Sequence, residues 1–263
     1  MNIEFFEYEG YQIPHHLIYL TGGGTSTWDA ISKGHMWQYS KYCPIEPSHS
    51  VLEIGCGTGR DAIQLTKHLS ADGNYTGIDI IADSIAWCQN NISPLFPNFK
   101  FLHYDVQSQI HNITGTISTT EIIFPINDKV IDRIILQSVF THMFEKEITH
   151  YLREFNRVLK DDGKICASFF LINDEVLSMA KKTGPTLESL ELSFQIPYAP
   201  GCFINDAAYP EGAVAFTLDA LERMMDESGL ELDQPIHLGS WCGRKDKTDG
   251  QDMVILRKKI KAY

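Results

Sequence analysis

The chain has 263 residues, 43% of them hydrophobic, and a formal net charge of −12 from 22 basic and 34 acidic side chains. That length and apolar content build a core without disulfide or metal staples, and the negative field disfavours nucleic acid as a partner. The six cysteines, at 43, 56, 88, 166, 202 and 242, form no C-x-x-C pair. Neither a zinc site nor a compact disulfide framework is therefore expected, no metal is assigned, and reduced thiols fit a cytoplasmic chain.

The amino terminus, MNIEFFEYEGYQ, is acidic and does not read as a signal peptide. No apolar run approaches the roughly 18 residues that a membrane span needs, so no membrane partner is expected. Residues 22–42, GGGTSTWDAISKGHMWQYSKY, are rich in glycine, aromatics and hydroxyls; the triple glycine signals a turn or a hinge. Strand and helix patterns then alternate. Residues 50–54 read as a buried strand, and 60–70 place Ala62, Ile63, Leu65 and Leu69 on one helical stripe. A turn at 72–74 leads into a strand at 75–80, a helix at 82–92 and a strand at 99–104. After a threonine-rich stretch, 130–138 is the fourth strand. Residues 145–160 form an amphipathic helix with Ile148, Tyr151, Leu152, Phe155, Val158 and Leu159 on one face. Lys160 and the turn signal Asp161-Asp162-Gly163 are expected to end it, before a fifth strand at 164–172. Residues 173–183 suit a helix. The four prolines and weak periodicity of 184–215 read as an irregular insertion. Residues 217–232 suit a helix that Gly229 can cap, and 251–259 a final strand.

Such alternation implies a parallel sheet with helices on both faces, closed by an antiparallel carboxy-terminal hairpin. Ligands of such sheets bind beyond the carboxyl ends of the strands. The strongest local feature lies there: Glu53-Ile54-Gly55-Cys56-Gly57-Thr58-Gly59, between a strand and a helix. Its glycines permit positive φ and close approach of a ligand, and the amide groups at the start of the helix suit a carboxylate or a phosphate. The dinucleotide fingerprint wants Gly-x-Gly-x-x-Gly, but Arg60 stands where its last glycine belongs, and no Gly-Lys-Ser/Thr completes a Walker loop. Asp79, 20 residues after Gly59, ends the second strand. It is placed to accept from both hydroxyls of a ribose; the alternative is a solvated strand end. Asp105 after the third strand suits an adenine amino group, or equally a loop cap.

VLEIGCGTGR, TGIDI, FLHYDV, DRIILQSVFTHM and REFNRVLKDDGKICASFF resemble, in order, the motifs of class I S-adenosylmethionine-dependent methyltransferases over about residues 40–172. TLDALERMMDESGLEL and SWCGR…QDMVIL resemble the tail of a bacterial small-molecule subgroup. The resemblance implies an α/β, Rossmann-like, doubly wound sheet of seven strands, mostly parallel with an antiparallel carboxy-terminal strand. It implies a single domain over 1–263, with 1–47 as a cap and 173–215 as a substrate-side insertion. It also implies S-adenosylmethionine as the cofactor. Glu53 would order the turn, and Gly55, Cys56, Gly57 and Thr58 would pass the methionine and ribose. Arg60 would pair with Asp61 or reach the cofactor carboxylate. Asp79 would hold the ribose, Ile80 pack on adenine, and Asp105 and Val106 meet the adenine edge. Gln137, Ser138 and Val139 would line the methyl side.

Displacement at a sulfonium methyl needs orientation and, for a hydroxyl acceptor, a base. His142 is the first candidate and His35 the second; each reads equally as a packing histidine. Trp28, Trp37, Tyr39, Phe140, Phe170, Tyr198, Trp241 and Arg244 are the candidate acceptor contacts. The Asn/Asp-Pro-Pro-Tyr/Phe motif of DNA amino-methyltransferases is absent, the place reading Gln137-Ser138-Val139-Phe140. The expectation is methylation of a small polar acceptor, at oxygen on a surface-polysaccharide sugar or secondary metabolite, by a monomer or homodimer. N-methyl transfer and a non-catalytic cofactor-binding subunit are the alternatives.

Overall fold

The computed structural model describes residues 4–183, 191–245 and 250–260. They pack as two compact units: Met1–Ser118 with Ile131–Ile135, and Thr119–Val130 with Leu136–Tyr263.

The first unit opens on a hairpin, β1 (Phe5–Tyr8) and β2 (Tyr11–Pro14). Its two-residue turn places Glu9 and Gly10 at φ 52° and 83°, the paired positive angles that match the twist of a tight hairpin. Helices α1 (His15–Leu20) and α2 (Trp28–Tyr42) follow. Then come β3 (Ser50–Ile54), α3 (Arg60–Leu65), β4 (Asn74–Asp79), α4 (Ala82–Asn91), β5 (Phe99–His103) and β6 (Ile131–Leu136). β3 pairs in parallel with both β4 and β6, and β4 in parallel with β5. Val51, Leu52, Glu53 and Ile54 are all buried, as a parallel strand covered on both faces requires. Helix α3 has six residues, shorter than the expected 60–70; the rest of that stretch continues as turns.

The second unit contains α5 (Glu145–Val158), β7 (Leu159–Phe169), β8 (Leu171–Ile172), α6 (Asp174–Thr183), β9 (Ile196–Ala199), β10 (Cys202–Ile204), β11 (Val214–Thr217), α7 (Leu218–Ser228), β12 (Leu230–Leu232) and β13 (Asp252–Lys258). α5 buries Ile148, Tyr151, Leu152, Phe155 and Val158, the expected face. Its end differs from expectation. The backbone is already extended at Leu159, and Asp161-Asp162-Gly163 lie within β7 rather than in a turn. Lys129 bonds the Asp161 carboxylate at 2.9 Å, in keeping with acidic side chains that face outward from a strand. Gly229, at φ 70°, caps α7 as expected, but the residues after it form β12 instead of continuing the helix.

Seven strands form one sheet in the order β12-β13-β7-β6-β3-β4-β5, with β12 and β13 antiparallel at one end. This is the α/β Rossmann-like architecture that the strand–helix alternation implies. The stretch read as an irregular insertion, 184–215, contains β9, β10 and the start of β11, which join β8 in a second sheet ordered β8-β11-β10-β9. Pro197 lies in its edge strand β9, a place where a residue without an N–H fits a sheet. Among the described residues no helix is long and apolar enough to cross a membrane. All six cysteines are buried, and none of them forms a disulfide.

Candidate active site

The loop from β3 to α3 carries Gly55, Gly57 and Gly59 at φ 74°, 51° and 74°, a left-handed run that only glycine adopts without strain. Every amide of the turn has a partner inside the protein. Gly55 and Cys56 donate to the Ile78 carbonyl, Gly59 to the Cys56 carbonyl, Gly57 to Asp79 Oδ2 at 2.7 Å and Thr58 to Thr21 Oγ1 at 3.1 Å. Such a turn is not an open cradle for a phosphate. Its surroundings are acidic instead.

Asp79, at the carboxyl end of β4, is buried. Its other oxygen accepts from the Ile81 amide at 2.8 Å. Burial pushes its carboxyl up, opposed by the Ile81, Gly57 and Ile80 amides. Each oxygen keeps a second lone pair, so two further donors, such as the hydroxyls of a ribose, fit there. Ile80 beside it is half-buried. Glu53 accepts the Tyr75 hydroxyl; burial and the neighbouring Asp61 push its carboxyl well above the usual range.

Asp61 receives His35 Nδ1 at 2.9 Å and the Tyr39 hydroxyl at 2.8 Å. Burial alone would raise it, but the facing His35, Arg60 and Tyr39 outweigh burial, so its carboxyl lies below the usual range. Arg60 does not pair with Asp61. Its Nη1 donates to the Gly22 carbonyl at 2.9 Å, and its guanidinium lies 5.3 Å from the centre of the Trp28 ring. Arg60 Nε and Trp28 Nε1 are both buried without a partner. Unpaired buried donors cost free energy and call for an acceptor.

The other first-unit candidates are placed less centrally. Asp105 uses Oδ1 on Asn112 and Oδ2 on the amide and hydroxyl of Thr116. It ties the loop that follows β5, which is the loop-cap alternative, and these bonds, Asn112 first, hold its carboxyl low. Val106 is buried. Trp37 is 45% exposed, edge-on to Tyr42 with Lys41 over its face. Cys56 and Thr58 are buried in the turn.

In the second unit, Gln137, Ser138 and Val139 follow β6. Ser138 has φ 57°, an uncommon, strained angle for a residue with a Cβ. Two side chains hold it: its amide donates to Ser168 Oγ and its hydroxyl accepts from Gln251, each at 2.7 Å. His142 Nδ1 lies 2.9 Å from the Glu211 carbonyl. Only a protonated Nδ1 can donate there, so the neutral ring keeps its lone pair on Nε2.

Several expected acceptor contacts are core residues. Phe140 is fully buried against Phe155 and Phe169. Phe170 and Trp241 pack edge to face at 5.1 Å, both against Phe194. The Trp241 indole donates to buried Asp252, which also receives Arg244, so Arg244 has its counter-charge within the chain. Tyr198 is half-exposed and stacks on Phe144 at 4.5 Å. Sequence reasoning missed Thr21, Ser168, Gln251 and Asp252. Each acts through contacts distant along the chain, which no local spacing signals.

The family model of the methyltransferase domain matches residues 45–227. Solved structures with the same fold include the PH0226 protein of Pyrococcus horikoshii, at 15% identity over 91% of this chain and 93% of that one, TM-score 0.56. The mitomycin 7-O-methyltransferase MmcR is 13% identical over 90% of this chain and 55% of that one, TM-score 0.54. CalO1, a methyltransferase in calicheamicin biosynthesis solved with SAH bound, is 11% identical over 88% of this chain and 55% of that one, TM-score 0.54. The chain spans little more than half the length of those last two enzymes. The chain belongs to the methyltransferase-domain family, and its fold and cofactor class are those of a class I S-adenosylmethionine-dependent methyltransferase.

Proposed function

We propose that the chain methylates a hydroxyl of a small polar molecule, a sugar or a secondary metabolite. The observation that carries the cofactor half is the first unit's charge pattern. Three buried carboxyls, Glu53, Asp61 and Asp79, surround a glycine turn whose amides are already engaged. That setting suits a ligand with positive groups better than a phosphate. When bound, the cofactor supplies an electrophilic methyl on a sulfonium whose thioether leaves as a neutral group. Asp79 would hold the ribose hydroxyls, with Ile80 against the adenine. Asp105 and Val106 are assigned to the adenine edge on family resemblance alone. Arg60 and Trp28, each with a buried unpaired N–H, would take the carboxylate of the amino-acid end.

For the acceptor half, His142 is the base. Its lone pair sits on Nε2 because Nδ1 donates to the Glu211 carbonyl, and that nitrogen can take the proton of a hydroxyl as the methyl transfers. His35 is the weaker candidate, because its Nδ1 is held by the buried Asp61 carboxylate. Gln137, Ser138 and Val139 would line the methyl side. Tyr198, the exposed aromatic of the second sheet, is the side chain placed to meet a ring or a sugar face. MmcR and CalO1, methyltransferases for mitomycin and calicheamicin, support a secondary metabolite as the acceptor class.

The test measures SAH formed from S-adenosylmethionine with a panel of glycoside, phenol and amine acceptors. Turnover with a hydroxyl acceptor is expected. His142→Ala should lower it about 100-fold or more while SAH affinity stays near wild type. Turnover with amines only would remove the O-methyl reading, and an unaffected His142→Ala variant would remove His142 as the base.

A further inference from the structure

We infer that Thr21, from the segment ahead of the matched family region, is a positioning residue for the cofactor: it shapes the glycine turn through Thr58. This rests on the reading that the turn binds S-adenosylmethionine. Thr21 directly follows α1, and its hydroxyl has three partners. It donates to the Leu17 carbonyl at 2.9 Å, receives the Thr58 amide at 3.1 Å, and lies 2.8 Å from the Thr58 hydroxyl. With its own proton on Leu17, it accepts both bonds from Thr58, so its donor and both lone pairs are used. Thr58 is fully buried. Water therefore cannot replace Thr21 as the acceptor for that amide.

The contact also explains Gly57. A Cβ there would lie 2.4 Å from Thr21 Cγ2 and 2.6 Å from Thr21 Oγ1. The missing side chain of Gly57 is thus filled by the chain's own Thr21, and the Gly57 amide is left to hold Asp79. One hydroxyl fixes the Thr58 amide, while the next residue toward the amino terminus, Gly57, fixes the Asp79 carboxylate. Two neighbouring contacts keep the segment in place: Arg60 reaches the Gly22 carbonyl, and Ser32 Oγ donates to the Arg60 carbonyl at 3.3 Å. Loss of the Thr21 hydroxyl leaves the buried Thr58 amide unpaired, and the turn must shift to satisfy it. Such a shift moves the Gly57 amide and with it Asp79.

The experiment is calorimetric titration of the full chain with SAH at 10 °C, alongside thermal unfolding without ligand, for wild type, Thr21→Val, Thr21→Ala and Thr21→Ser. The valine and alanine variants should bind SAH about tenfold more weakly or worse, and the serine variant within about threefold of wild type. Alanine provides the measurement if the valine variant does not fold. Lowered melting temperatures with SAH affinity unchanged in the variants without the hydroxyl would make Thr21 purely structural and overturn the inference. A wild-type chain that fails to bind SAH would instead overturn the cofactor assignment beneath it.

Discussion

Asp79→Asn is the sharpest perturbation of the cofactor half. The two carboxylate oxygens take different amides, Gly57 at 2.7 Å and Ile81 at 2.8 Å, and each retains one lone pair for a ribose hydroxyl. The amide of Asn has one accepting oxygen and a donating NH2 group. It keeps one of the two internal bonds and sets N–H against N–H at the other. An unpaired buried donor costs about 1–3 kcal/mol, so a measurable loss of stability is expected. Binding suffers further, because a carboxylate bond to a hydroxyl is charge-assisted and worth about 1.5–3 kcal/mol. Loss of one such bond and weakening of the second predicts a deficit of about 2–4 kcal/mol, or about 30- to 1,000-fold in Kd for SAH. Calorimetry on the variant, at a temperature where circular dichroism shows it folded, reads the effect directly. A folded variant that binds SAH within about threefold of wild type would refute both the ribose assignment and the two-lone-pair argument.

Two further expectations concern the neighbours of the turn. Asp61 has a folded-state carboxyl below its ordinary range, so it contributes stability at neutral pH that is lost as the pH falls below the ordinary aspartate value of about 3.9. Asp61→Asn should cost about 2 kcal/mol in urea unfolding at pH 7, and the gap to wild type should narrow at pH 3; an equal gap at both would contradict this. Trp28→Phe keeps the ring under the Arg60 guanidinium and removes only the N–H. It should weaken SAH about tenfold but leave 5′-methylthioadenosine, which lacks the amino-acid end, unchanged; a parallel loss for both ligands would rule out Trp28 as a carboxylate donor.

What the sequence made legible was local in origin. The glycine turn, the strand before it and Asp79 follow from short spacings and a period-two or buried-run pattern, and the structure places them as expected. The amphipathic face of α5 was equally clear, because Ile148, Tyr151, Leu152, Phe155 and Val158 repeat at helical spacing. Asp161-Asp162-Gly163 misled because composition signals a turn, whereas the outward-facing acids of an extended strand have the same composition. β9, β10 and β11 were hidden by their length of three or four residues and by Pro197, which an edge strand accepts. Trp241 and Phe170 looked like acceptor contacts because an aromatic near the end of a sheet suits either role; only three-dimensional packing shows them joined with Phe194 in a core. Thr21 was invisible because its partner lies 37 residues away.

The chain leaves the main sheet at Phe170 and enters the second one through β8, which pairs in parallel with β11 at Leu171–Phe216 and Ile172–Thr217. The excursion between them, residues 173–213, thus departs from and returns to two adjacent strands. Closing a longer loop across fixed ends costs little, about 0.6 kcal/mol per doubling of length. Evolution can therefore lengthen, trim or exchange this excursion while β8 and β11 remain where they are. Relatives of this chain would then diversify through replacement of one contiguous cassette, and a graft spanning 173–213 is the natural unit for transplanting one relative's preference onto another's frame.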